Sequence, residues 1–385
     1  MINWQEKERR RMIAISQIIP LLSEGYEAKC YELGIIKRHR AIKTPADLMM
    51  LCLFHLINGC TLIEISEVGR LLKIGNFSDV AFMKRFEKCS GWFEWLCEQL
   101  MHGIVADYPK PAYLEKYQAI AYDASDVVEK GRSGQTYRLH YGIDIFKMSS
   151  VSYQITKQEV GETLCNFTLH KGSLVIGDRA YGTINGIIHC VKSEADYLLR
   201  LRTNCFAMYD ADGEKIEIVS RLHDLDYEES TSFSVFVQGK DRTLIPARIC
   251  AKRKSKEACE STRRKLYRRA SKKQTKLSDA TVQFNEYIVL ITSLPADITA
   301  DDILETYRYR WQVECYFKRL KSIMNFGDLP KKRKDSSISW LNGKILVALL
   351  IELLMSKDSF PPGLTRESQA KHLAGNQTIS SYHAN

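Results

Sequence analysis

No Cys-x-x-Cys pair occurs among the eleven cysteines, which are scattered from Cys30 to Cys315. That absence leaves no sequence framework for a zinc site or a dithiol redox centre. The odd count and irregular spacing fit a reducing compartment and not a disulfide scaffold. Cys52, Cys60, Cys97 and Cys165 sit among apolar neighbours and are expected to be buried thiols. The stretch from Met1 to Arg11 is charged and has no apolar run, so it does not read as a secretory signal. The longest apolar run, Ile345 to Met355, contains Glu352 and is shorter than a bilayer span requires. There is no internal repeat and no aromatic-rich signature of RNA binding.

What is present is a chain of 385 residues, 45% hydrophobic, with a formal net charge of +10. That length accommodates two or three domains and a large core. A basic balance favours acidic partners, nucleic acid foremost. Twelve basic residues lie between Lys252 and Lys276, opposed only by Glu257 and Glu260, so this segment's surplus equals that of the whole chain. Composition leaves it open between a solvated loop and a phosphate-binding surface.

Residues 1–115 read as helical. Thr44-Pro45 supplies a cap and an N1 proline for an apolar helix from Ala46 to Leu56. Thr61 to Leu72, Ser78 to Cys89 and Gly91 to Met101 continue in helix-length blocks, as in a small bundle. After Pro109-Lys110-Pro111 the texture shifts to strand-length apolar runs: Gln118 to Tyr122, Thr136 to Ile145, Ser150 to Thr156, Ser173 to Gly177 and Asp196 to Leu201. Ile184 to Lys192 is a helix between the last two. Strands followed by strands alternating with helices predict a mixed α/β sheet. Lys215 to Phe236 and Thr243 to Cys250 read as further strands and turns, and Tyr287 to Thr292 as a strand. Residues 300–324 are predicted to form one helix and Ile345 to Met355 another. The tail after Phe360, with Pro361-Pro362-Gly363, is expected to be loose.

On the 300–324 helix, at about 100° per residue, Tyr307, Arg310 and Lys321 fall within roughly 40° of Glu314. Val313, Phe317, Leu320 and Met324 form an apolar stripe beside this polar strip. An i, i+4 Arg310–Glu314 pair on an amphipathic helix accounts for the pattern. So does a site in which a divalent cation lies between Glu314 and phosphate while the cations hold flanking phosphates. Asp123 follows Ala119-Ile120-Ala121-Tyr122 at a predicted strand end, and Asp178 follows Leu174-Val175-Ile176-Gly177. Each fits a turn or a helix cap. Together with Glu314 they also make three oxygen donors suited to Mg²⁺ or Mn²⁺.

The string Tyr307-x-x-Arg310-x-x-x-Glu314-x-x-x-x-x-x-Lys321 resembles the Y-R-E-K signature of DDE-type transposases of the IS-four group of insertion sequences. Its context, Tyr309 to Glu314 and Phe317 to Lys321, is similar too. Gly177-Asp178-Arg179-Ala180-Tyr181-Gly182 resembles the family's second-aspartate motif, and Tyr122-Asp123-Ala124-Ser125 its first, with Asp126 a competitor for the same role. Gly161 to Leu164 and the strand from Tyr287 to Pro295 fall in the expected places. The resemblance covers about residues 40–355.

It implies an RNase H-like catalytic core with Asp123, Asp178 and Glu314 as catalytic residues and metal ligands. It implies DNA contacts from Tyr307, Arg310 and Lys321, with Trp311 beside them. Arg200 or Arg202 resembles a family arginine near the second aspartate. Tyr287 stands where some relatives carry a Trp that receives a flipped base. The implied domains are 1–115, a helical DNA-binding region; 116–201, the first part of the core; 202–286, a β-rich basic insertion; 287–330, the second part of the core with the catalytic Glu helix; and 331–385, a C-terminal helical segment and tail. The implied activity is Mg²⁺-dependent cleavage at insertion-sequence ends (Mn²⁺ substituting) and strand transfer into target DNA. A dimer would pair two terminal inverted repeats in the cytoplasm of a bacterium. The alternative is a catalytically impaired, transposase-derived DNA-binding repressor.

Overall fold

A computed structural model describes residues 15, 18–37, 41–103, 109–129, 136–203, 205–239, 241–323, 326–330 and 333–357. The charged N-terminal stretch Met1 to Arg11 and the tail after Phe360 lie outside the described residues.

The helical reading of the first third matches the structure. Helices α1 (Tyr26–Glu32), α2 (Pro45–Asn58), α3 (Leu62–Leu71), α4 (Asp79–Phe86) and α5 (Ser90–Gly103) follow in order. Their starts are set by local chemistry. The Thr44 hydroxyl accepts from the Asp47 amide at 3.1 Å, and Thr61 and Glu64 form a reciprocal capping box. Gly59 ends α2 with φ of 65°, a left-handed turn that favours glycine. Trp92 anchors the bundle, fully buried, with its indole N–H donating to the Tyr26 carbonyl at 2.8 Å.

The rest is organised by one mixed sheet. Strands β1 (Gln118–Glu129), β2 (Thr136–Asp144), β3 (Ser149–Lys157), β4 (Ser173–Gly177) and β5 (Asp196–Arg200) come first, with α6 (Ile184–Lys192) crossing between β4 and β5. Then follow β6 (Met208–Tyr209), α7 (Ile218–Leu222), β7 (Ser230–Gln238), β8 (Leu244–Arg253), α8 (Lys256–Lys273), α9 (Asp279–Phe284) and β9 (Tyr287–Thr292). The chain continues through α10 (Ala300–Arg308), α11 (Trp311–Ile323), β10 (Asp328–Leu329) and α12 (Lys334–Lys357). The order across the sheet is β3-β2-β1-β4-β5-β9-β8-β7-β6, with β10 against β1. Strands β1 to β3 are antiparallel, β1, β4 and β5 are parallel, and the remainder from β5 to β6 is antiparallel. The strands from the 202–286 region therefore extend the same sheet.

Period-2 alternation divides the interior in two. Ala119 and Ala121 of β1 face a core shared with the N-terminal helices, α11 and α12. Ile120 and Tyr122 face a second core with Val175, Tyr197, Leu199 and Ile249.

Several expectations are corrected. The predicted 300–324 helix is two helices, because Tyr309 and Arg310 make i to i+3 turns (Tyr309 N to Thr306 O at 3.2 Å, Arg310 N to Tyr307 O at 3.1 Å) in place of the α pattern. The basic segment is not a loop for most of its length: it contains the 18-residue α8, started by the Ser255 side chain accepting from the Ala258 amide. The stretch from Lys215 to Phe236 includes the short helix α7. Cys165 is exposed on a 3-10 turn, while Cys52, Cys60 and Cys97 are buried as expected, and all eleven thiols are free. The closing helix begins eleven residues earlier than Ile345 and is, by length and composition, apolar enough to cross a membrane. Here it is a core helix. Asn342 donates to Ser90 Oγ at 3.1 Å and accepts from Tyr153 at 3.2 Å, and Lys344 donates to the Leu56 carbonyl at 2.6 Å. Burial lowers the Lys344 ammonium to about 8.

Candidate active site

Strand register brings the two aspartates together. In the parallel pair β1–β4 the last partners are Tyr122 and Gly177, so Asp123 and Asp178 are the next residue on each strand. Neighbouring strands run about 4.8 Å apart. Asp178 does end its strand, as expected. Asp123 does not: β1 continues six residues further, paired with β2 and at its end with β10, and what ends at Asp123 is the pairing with β4. The split opens a gap at the two carboxylates.

The cross-strand partner of Asp123 is Tyr141, so the two side chains share a face. The Tyr141 ring stacks on Tyr316 of α11 with centroids 4.4 Å apart. Tyr316 lies two residues after Glu314, so this stacking holds the first turn of α11 over Asp123. The Tyr141 hydroxyl hydrogen-bonds Ser150, and Ser150 Oγ donates to Glu352 Oε2 of α12 at 3.2 Å. Asp126, three residues on, faces the opposite side of the sheet and pairs with Arg138 Nε at 2.8 Å.

Arg310 joins the acids. Its guanidinium lies 3.6 Å from Asp123 Oδ2 and 2.5 Å from Glu314 Oε1. Burial works against its charge, but Tyr307, Glu314 and Asp123 outweigh that and hold it protonated. Asp123 is pushed up to about 7, first by burial and then by the charges of Asp178 and Glu314, against the pull of the Ala124 amide and Arg310. Its Oδ1 accepts that amide at 2.8 Å, and Asp178 Oδ1 accepts the Ala180 amide at 2.7 Å. Among the described residues no three His, Cys, Asp or Glu side chains form a ready metal cluster. Arg310 occupies the space between two of the acids instead. The donor chemistry nonetheless fits a hard divalent ion: Asp178 and Glu314 lie close enough to act on the buried Asp123, with Arg310 standing in as counter-charge.

Tyr307 is buried, its ring 5.7 Å from the Arg310 guanidinium, which acts electrostatically on its hydroxyl. Trp311 is 55% exposed at the head of α11, with Lys318 5.6 Å over its ring. Lys321 is exposed further along α11. Arg200, at the end of β5, lies near Tyr307, whereas Tyr287 is buried beside Arg253, whose guanidinium is 5.9 Å from its ring. The structure thus gathers Asp123, Asp178, Glu314, Arg310, Tyr307 and Arg200, and sets Tyr287 in a different environment.

Arg179 escaped notice in the sequence beyond its place in a motif. Burial, followed by repulsion from Arg200, lowers its guanidinium to about 10. Among the described residues the buried Nε atoms of both arginines have no hydrogen-bond partner. Their closeness depends on Gly182, where a Cβ would meet the Arg200 carbonyl oxygen at 2.3 Å. The only sequence signal for Arg179 was its adjacency to Asp178.

The family model described as a transposase DDE domain matches residues 115–350. The chain belongs to the DDE transposase family. This transposase is 26% identical over 349 residues to an inferred transposase of the insertion sequence element IS186A in Escherichia coli K12, covering 88% of this chain and 93% of the relative. It is 26% identical over 350 residues, with the same coverages, to the transposase of IS421 from Escherichia coli. With the transposase of IS231E from Bacillus thuringiensis subsp. finitimus it shares 23% over 211 residues, 51% of this chain and 44% of that one.

Proposed function

We propose that this transposase cleaves DNA at the ends of an insertion sequence and joins the freed 3′ hydroxyl to target DNA. The observation that carries the reading is Arg310 held between Asp123 and Glu314, with Asp178 following the strand beside Asp123. The run β3-β2-β1-β4-β5, antiparallel then parallel, supports an RNase H-like core. The domain reading accompanies it: residues 1–115 recognise the terminal repeats, 202–286 form a basic insertion, and two copies pair two ends.

Asp123, Asp178 and Glu314 would hold divalent ions, Mg²⁺ with Mn²⁺ able to replace it. When bound, such ions polarise the scissile phosphate, activate the attacking oxygen and stabilise the leaving one. Arg310, a permanent cation, binds a phosphate oxygen and orients it, with Tyr307 fixing the guanidinium from below. Lys321 and Arg200 bind flanking phosphates, and the exposed Trp311 offers a face for a base. Tyr287 is buried and would act on DNA only through Arg253. The buried position of Asp123 excludes bulk water from one side of the reacting phosphate.

Glu314→Gln is expected to abolish cleavage of terminal-repeat DNA while repeat binding persists. Cleavage at the wild-type rate by the purified variant would overturn the assignment. A second reading, an impaired repressor that binds DNA, draws on the place of Arg310 between the acids. Joined products from the wild-type chain with Mg²⁺ or Mn²⁺ would exclude it.

A further inference from the structure

Helix α8 is an unusual element. Of its 18 residues only Cys259 and Ala270 are buried. It carries eight cations against Glu257 and Glu260, and no acid follows Glu260 before its end. At about 100° per residue, Cys259, Leu266 and Ala270 share the inward face, while Arg264, Arg268 and Lys272 lie one turn apart on the outward face, with Arg269 on the flank between the two. These four cations are exposed and make no hydrogen bond or ion pair among the described residues. Tyr267 is 54% exposed. By contrast Arg263, on the inward side, pairs with Glu286 at 2.5 Å. A single surface helix of such charge repels itself, and its natural complement is a polyanion.

The root of α8 lies against β9, the strand that pairs with Arg200: the Lys254 amide donates to the Glu286 carbonyl at 3.0 Å, and Arg200 is the cross-strand partner of Leu290. Lys254, two residues before the helix, is lowered to about 8 by burial and then by the charges of Arg200 and Arg179. Its ammonium is held by the Asn285 carbonyl at 2.6 Å and Thr262 Oγ1 at 3.2 Å. Arg179 and Arg200 lie in turn within electrostatic reach of Tyr307. Arg200, Arg179 and Lys254 therefore form a cluster of positive charge at the start of the helix. An 18-residue helix is about 27 Å long, the rise of roughly eight base pairs.

We propose that α8 is a duplex-DNA docking ridge, whose outward stripe of Arg264, Arg268 and Lys272, flanked by Arg269, holds the backbone of the DNA that leaves the catalytic cleft past Arg200 and Lys254. This rests on the reading of the chain as a DNA-processing transposase and adds the path of the substrate. The contacts are to phosphate and carry no base readout, so the ridge serves any sequence. It fits the flank of an element or its target better than the terminal repeat itself.

The test is the salt dependence of duplex binding by the full chain, measured by fluorescence anisotropy on a 30-base-pair DNA of arbitrary sequence. For the triple variant Arg264→Gln, Arg268→Gln and Lys272→Gln the slope of log affinity against log salt is expected to flatten by roughly 2 to 3. The charge-retaining set Arg264→Lys, Arg268→Lys and Lys272→Arg is expected to keep the wild-type slope. Circular dichroism checks that both sets fold. A slope unchanged in the glutamine variant would overturn the ridge while leaving the active-site reading intact, since wild-type binding would persist. A change seen with duplex RNA and absent with duplex DNA would also overturn it. Joined DNA products test the active-site reading separately.

Discussion

Replacing Asp123 by Asn is expected to make the metal-free protein more stable while it destroys the acidic site. In the folded chain this carboxyl titrates near 7 and not at its ordinary 3.8, because it is buried and faces Asp178 and Glu314. It binds its proton more tightly folded than unfolded. Folding stability is therefore undiminished below the unfolded value and falls as pH rises from about 4 to about 7. The rise from 3.8 to about 7 sets a ceiling of ~4 kcal/mol on the loss at pH 8. The amide oxygen of Asn can still accept from the Ala124 amide, but the attraction to Arg310 at 3.6 Å is forgone. That leaves a net gain of roughly 1–3 kcal/mol for Asp123→Asn at pH 8. Urea unfolding in EDTA at pH 5 and pH 8 reads it: the variant should gain on the wild type as pH rises. Added Mg²⁺ should stabilise the wild type and leave the variant unmoved. A variant less stable at pH 8, or a gap indifferent to pH, would refute the argument that the acids are held together against their own repulsion.

Gly182→Ala places a methyl 2.3 Å from the Arg200 carbonyl oxygen and must push the Asp178 turn off the end of β5. DNA cleavage is expected to fall by about 10-fold or more with the fold retained by circular dichroism, and a wild-type rate would show that the turn is not under this constraint. His140 is fully buried, and burial, then Arg138, lower it to about 4 despite Asp126. It is packed against Thr156, Asn166 and Phe167. It is neutral in the fold, so stability is complete above pH 6.5 and is lost towards pH 4, by ~2–3 kcal/mol. His140→Gln should flatten that part of the urea-unfolding profile, and an unchanged profile would assign the acid sensitivity to other groups.

Much of the fold was legible because its signals are local. Thr44-Pro45, Thr61 with Glu64, and the apolar runs before Asp123 and Asp178 each announce an element through a few adjacent residues. The break at Tyr309-Arg310 was not legible. No Gly or Pro marks it, and in the structure the Arg310 side chain reaches an acid on a distant strand. That contact is tertiary, and helix periodicity reports nothing about it. The basic segment failed for the opposite reason. It lacks an apolar stripe, yet Ser255 caps it, Glu257 stands in its first turn and Lys272 and Lys273 in its last, an order that suits the helix dipole. Candidate acids could be chosen from strand context, but their meeting depends on register: Tyr122 opposite Gly177, and Asp123 opposite Tyr141. The approach of Arg179 to Arg200 and the Tyr316–Tyr141 stack belong to that non-local layer as well.

The link from Tyr141 and Tyr316 through Ser150 to Glu352 ties the helix bearing Glu314 to a residue almost forty positions later in the chain. During synthesis all three acids leave the ribosome before this brace exists. A nascent or prematurely terminated chain would carry the acids and the basic helix but lack what seats Glu314. The acidic site is therefore among the last features of the fold that synthesis completes.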